Sequence, residues 1–237
     1  MIPLVLVAIG LLAVAVGWWL MRGLGPGARV GRILAATKVV EMGVATGLAS
    51  SGERRYVGVG GRVDAEDPWE DENGRPLVLR RSVLERRDGG RWIPLQEERR
   101  VVPFELSGAL ERIGVDGAAL DEGLVVVTRE SRGTAAEVPD RVPPGTPPAT
   151  PIRYRVQLLS AVDHALVLGV PTMGADGPVM TAGLGRPLIL TTLEPSEAMR
   201  LLASGRRRTA LAIGLLLAAG LGLVGVGVAA VLVDALL

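Results

Sequence analysis

Residues 209–233 carry no charge at all. That run exceeds the ~20 residues a helix needs to cross ~30 Å of hydrocarbon. Three arginines, Arg206 to Arg208, precede it, and Asp234 is the one charge beyond. A second apolar run, residues 2–21, sits at the other end. It ends on Trp18 and Trp19, and Arg22 follows. Paired aromatics and then a positive charge suit a helix end at headgroup level. No basic residue precedes the run and no small-residue cleavage site follows it, so a retained anchor is expected rather than a signal peptide. Two transmembrane helices, residues 2–21 and 209–233, are therefore expected to hold a domain of residues 28–204 against a bilayer. The basic residues Arg22, Arg29, Arg32, Lys38, Arg200 and Arg206 to Arg208 flank both runs on the domain side. The positive-inside rule then expects an integral protein of the cell membrane with its middle domain cytoplasmic and both termini outside.

The charges nearly cancel, 26 basic against 25 acidic, which argues against a nucleic-acid partner. There is no cysteine. Disulfides, thiolate zinc sites, iron–sulfur clusters and cysteine nucleophiles are excluded. With one histidine, His164, a histidine-based triad or metal site is not expected. No cofactor and no metal site is assigned.

Between the apolar runs, Gly23 to Gly27 read as a hinge, and Val30, Ile33, Leu34 and Val40 recur at helical spacing over 29–44. Gly47 to Gly52 break that helix. Short strands follow at 55–63, 76–87, 91–104, 113–115, 124–128, 151–160, 165–170 and 188–192. Asp88-Gly89-Gly90 is a hairpin signal. Residues 138–151 form a Pro-rich excursion, expected extended and mobile, and 195–204 read as a short helix with proline in its first turn. The fold class expected is α+β: a β-rich domain, a curled antiparallel sheet or small barrel, between two transmembrane helices.

Candidate chemistry is sparse. Gly58-Val59-Gly60-Gly61 lacks the third glycine of a dinucleotide fingerprint and reads as close packing. Asp64, Glu66, Asp67, Glu70, Asp71 and Glu72 cluster without the spacing of a calcium loop and read as a solvated loop. His164, beside Asp163, reads as a turn histidine. Trp69 and Trp92 read as core or groove walls, and Phe104 as core.

Several segments in order carry a resemblance. They are Thr37-Lys38-Val39, Val59-Gly60-Gly61-Arg62-Val63, the strand from Arg80 to Arg87, Trp92, Val102-Pro103-Phe104-Glu105-Leu106, Ile113-Gly114-Val115-Asp116, Arg153-Tyr154-Arg155-Val156 and Leu166 to Val170. Together they resemble the GIDE, or beside-a-membrane, domain of membrane-anchored RING ubiquitin ligases of mitochondria and chloroplasts, in its prokaryotic form. The resemblance implies an interaction or sensing module that binds a protein or lipid partner beside the membrane. The ligases carry a cysteine/histidine RING after the second helix, and no cysteine is present to build one. No ligase activity and no catalytic residue is therefore expected. The alternatives are an adaptor for a separate transferase or an enzyme of unrecognised chemistry. Trp92, Pro103, Phe104 and His164 are the candidate binding or structural positions.

Overall fold

The computed structural model describes residues 2–22, 25–108, 110–120, 123–194, 196–198 and 207–236. These divide into two units, one within residues 1–33 and 199–237, the other residues 34–198.

The first unit holds helices α1 (Ile2–Arg22) and, at the other end of the chain, α4 (Arg207–Leu236). They pack together through glycine. A Cβ on Gly10 would sit 2.7 Å from the Gly220 carbonyl oxygen, and one on Gly220 would sit 2.9 Å from the Gly10 carbonyl oxygen. Without side chains there, the two backbones touch. Gly17 lies against Leu217, whereas Gly214 and Gly222 face open space. Gly220 is two residues from both Ala218 and Gly222, a turn of about 200° around the helix, so the small residues Gly214, Ala218 and Gly222 do not form the face that meets α1.

Among the described residues no helix is long and apolar enough to cross a membrane. The two spans expected at residues 2–21 and 209–233 therefore do not stand. The fold class loses its transmembrane part, and the cell-membrane localisation with a cytoplasmic middle domain falls with it.

The helix expected over 29–44 is two helices, α2 (Gly25–Ala36) and α3 (Met42–Ser51), separated by the short strand β1 (Val39–Val40). The hinge glycines Gly25 and Gly27 belong to α2. Gly52, in the left-handed region at φ 72°, ends α3 and donates its N–H to the Ala49 carbonyl, a terminus that glycine adopts without strain. The short helix expected over 195–204 lies largely outside the described residues; residues 196–198 are helical.

The second unit is built on a closed barrel. Its strands are β2 (Val57–Asp64), β6 (Phe104–Ser107), β7 (Arg112–Val115), β11 (His164–Met173) and β12 (Pro178–Thr181). Around the ring the order is β2-β6-β7-β12-β11 and back to β2. Every pair is antiparallel except β7 with β12, which is parallel. Numbered along the chain, the five strands run 1-2-3-5-4-1, the connectivity of an OB-type Greek-key barrel. Val59, Val63, Leu106, Ile113, Val167 and Met180 fill it, and Phe104, at 5 % exposure, joins them as expected. Alternation along each strand puts these residues inside and their neighbours outside. Met42 and Ala45 of α3 join the same core. Strands β1, β13 (Ile189–Thr191) and β8 (Leu124–Val125) extend the barrel wall.

Two long insertions into this barrel build a second, curled sheet. Between β2 and β6 the chain adds β3 (Trp69–Glu70), β4 (Pro76–Asp88) and β5 (Arg91–Val101). Between β7 and β11 it adds β9 (Thr128–Thr134) and β10 (Pro151–Ser160). The insertions meet along the antiparallel β4–β10 pair, with irregularities at Leu84/Glu85 on the β5 side and Leu159/Ser160 on the β10 side. Gly89 and Gly90, both at positive φ, close the two-residue β4–β5 hairpin. The strand expected over 91–104 breaks at Val102-Pro103. Val102 N–H still donates to the Val78 carbonyl at 3.0 Å, but Pro103 has no N–H for a ladder, and the chain passes there from the second sheet into the barrel.

The Pro-rich excursion is folded, not extended. Thr134 and Glu137 form a capping box, and short 3₁₀ turns follow at Ala135–Glu137 and Pro139–Arg141. Ala135 and Ala136 N–H groups donate to the carbonyls of Thr150 and Pro148. Val138 and Val142 pack on a small core of Leu84, Ala135 and Ile152. The excursion thus covers one face of the second sheet.

Candidate binding cleft

On the outer wall of the barrel, register places Asp64 of β2 opposite Glu105 of β6, Glu105 opposite Gly114 of β7, and Gly114 beside Val179 of β12. Their chain neighbours Val63, Leu106, Ile113 and Met180 point inward, so this row faces out. It forms the floor of a cleft of about 900 Å³. One wall is Asp64-Ala65-Glu66, where the first insertion leaves β2. The other is the β11–β12 turn, Gly174-Ala175-Asp176-Gly177. Gly177, at φ 130°, needs glycine's freedom. In the middle of the floor Gly114 presents bare backbone. A Cβ there would meet Pro178 and Val179 at 3.5 Å, ordinary contact.

The electrostatics are one-sided. Asp64, Glu66, Glu105 and Asp176 line the cleft against a single cation, Arg112. Arg112 is engaged by Glu105, N–H to carboxylate oxygen, at 2.7 Å. Among the described residues no ion pair reaches Asp64, Glu66 or Asp176. Asp64 facing Glu105 across the ladder is an arrangement that costs stability rather than adding it. Among the described residues no group of three acidic or histidine side chains is placed to hold a metal ion.

Of the positions singled out from sequence, Pro103 and Phe104 border this cleft. Trp92 and His164 do not. Trp92 lies on the second sheet under the Arg153 guanidinium, 4.5 Å from the ring centre. Trp69 is covered in the same way by Arg100. His164 opens β11 opposite Arg62 and borders a separate hollow with Gly60, Gly61 and Glu194. Asp163 does not serve it as a partner, because its carboxylate accepts from the Ser160 N–H at 2.8 Å and from Arg75 at 3.2 Å. The acidic stretch also divides. Asp64 and Glu66 belong to the cleft, whereas Asp71 accepts the N–H groups of Arg75 and Asn73 and shapes its own turn. Those two N–H groups, Arg75 first, hold the Asp71 carboxyl below its ordinary value. Asp116, in the Ile113-Gly-Val-Asp motif, accepts from the Thr181 hydroxyl at 2.8 Å and ties β7 to β12. Asp176 and Val179 carried no sequence signal, because only the ring closure brings them beside Gly114.

The chain matches no protein family, no curated protein and no solved structure. The terms membrane-spanning, GIDE domain and ubiquitin-ligase-like therefore find no support in known relatives, and among the described residues no helix is long and apolar enough to span a membrane.

Proposed function

We propose that this chain is a binding module rather than an enzyme, and that its ligand occupies the cleft across β2, β6, β7 and β12. The observation that carries this reading is the bare Gly114 backbone at the centre of a floor walled by two loops and rimmed by Asp64, Glu66 and Asp176, which have no ion-pair partner among the described residues. Loops at the corresponding positions, and the face of the second and third strands, are where OB-type barrels take their ligands. The ordered motifs resembling the GIDE domain point the same way, towards interaction rather than catalysis. The chemistry of the residues agrees: without cysteine, neither a thiolate zinc RING nor a thioester-forming nucleophile can be built from this chain. An acidic rim also disfavours nucleic-acid phosphates. An adaptor role, in which the chain binds a target and a separate protein supplies the chemistry, fits the same cleft.

A photo-reactive residue placed at Ala65 or Ala175 tests the reading in cells. It should cross-link to a discrete partner that Gly114→Val abolishes, while the same group at exposed Val127, outside the cleft, gives none. Equal labelling from all three positions would refute it.

A further inference from the structure

The cleft's occupant can be named by chemistry. Resting on the binding-module reading above, we propose that the cleft takes an extended segment of a partner protein that carries an arginine or lysine. The backbone of the segment lies over Gly114, and its cationic head reaches the carboxylates of the cleft walls, Asp64 or Asp176.

Three observations converge. Four carboxylates line the cleft against one guanidinium, which Glu105 already engages; a cation entering from outside meets unspent charge on Asp64, Glu66 and Asp176. The Asp64–Glu105 pair stands directly opposed across the β2–β6 ladder. Like charges in that position repel; Arg112 offsets the charge of Glu105, and a second cation beside Asp64 offsets what is left. The rest of the lining is apolar or bare backbone, with Pro103, Gly114, Pro178 and Val179 along it. Such a floor accepts the methylene stem of arginine or lysine while the head stays among the carboxylates.

The dimensions favour a peptide. From β2 to β12 the floor crosses three strand spacings, about 14 Å, the length of roughly four residues of extended chain. No three carboxylates are close enough together to make this an ion site.

The test uses the full chain and fluorescent extended peptides that alternate valine with arginine, lysine, glutamine or glutamate, read by anisotropy. Arginine and lysine peptides should bind and the glutamate peptide should not. Binding should weaken about tenfold in the double variant Asp64→Asn/Asp176→Asn, and should fall as salt is raised. Gly114→Ala, whose added methyl makes only ordinary contacts, should weaken binding without changing the melting temperature, and Gly114→Val should abolish binding. Equal binding of the glutamine or glutamate peptide would overturn the proposal. So would equal binding by the charge variants, or spermidine binding as tightly as the arginine peptide. If no basic peptide binds yet Ala65 and Ala175 still cross-link a partner in cells, this proposal falls and the binding module stands. If both experiments fail, both fall.

Discussion

Tyr56 shows how one side chain ties distant parts of the barrel together. Its hydroxyl lies 2.6 Å from the Pro187 carbonyl oxygen and 3.2 Å from that of Leu168, and can donate to either. The Arg186 guanidinium covers its ring. Burial pushes the phenol up to about 12, against the opposing charge of Arg186. The folded state thus favours the protonated phenol. Its contribution is fully present below the ordinary value of about 10, and is lost as pH rises from there through about 12. Tyr154, the other tyrosine, shifts down: burial raises it, but hydrogen bonds from Ser82 and Arg80 outweigh that. A titration of tyrosinate absorbance should show two separate steps, Tyr154 first. Tyr56→Phe should remove the later step and lower stability by about 1–2 kcal/mol. A single merged step would contradict this placement.

At the scale of elements, the β4–β10 pair that joins the two insertions is locked by Glu85, only 5 % exposed. Arg153 donates to one carboxylate oxygen at 2.6 Å and Arg155 to the other at 2.9 Å. Arg153 is largely buried under Trp92, whereas Arg155 is partly solvated and screened. Glu85→Ala leaves the largely buried Arg153 charge with only the longer 3.9 Å contact to Glu130, and should cost about 3 kcal/mol. The double variant Glu85→Leu/Arg153→Leu removes both charges and should recover most of that loss. Melting curves of the single and double variants decide it. A double variant as unstable as the single would show that packing rather than charge holds the sheet.

At the scale of the whole molecule, the chain should have no ubiquitin-ligase activity of its own. A RING holds each zinc with about four ligands, mostly thiolates, and the sequence has no cysteine and one histidine. Incubated with ubiquitin, activating enzyme, a panel of conjugating enzymes and ATP, it should form no chains above the no-protein control. Chain formation, or stoichiometric bound zinc, would overturn that expectation.

Local signals were enough wherever neighbouring residues decide the outcome. Asp88-Gly89-Gly90 made a hairpin because a two-residue turn needs positive φ at both centres, and Gly89 and Gly90 provide it. Pro151–Ser160 emerged as β10 with the expected limits, and Phe104 went to the core in a chain short of aromatics. Strand β9, with sequence Thr-Arg-Glu-Ser-Arg-Gly-Thr, stayed hidden because an exposed edge strand needs no apolar alternation. The apolar runs announced helices but not their packing face, which the meeting of Gly10 with Gly220 settled. The cleft was legible only in fragments: Pro103 as a candidate, Asp64 and Glu66 in an acidic loop read as solvated, Gly114 inside a motif. The β2–β6–β7 pairings set Asp64, Glu105 and Gly114 in one row, and only ring closure adds Val179. That closure rests on the parallel β7–β12 pair, a contact between segments about 65 residues apart, whose pairing no local pattern encodes.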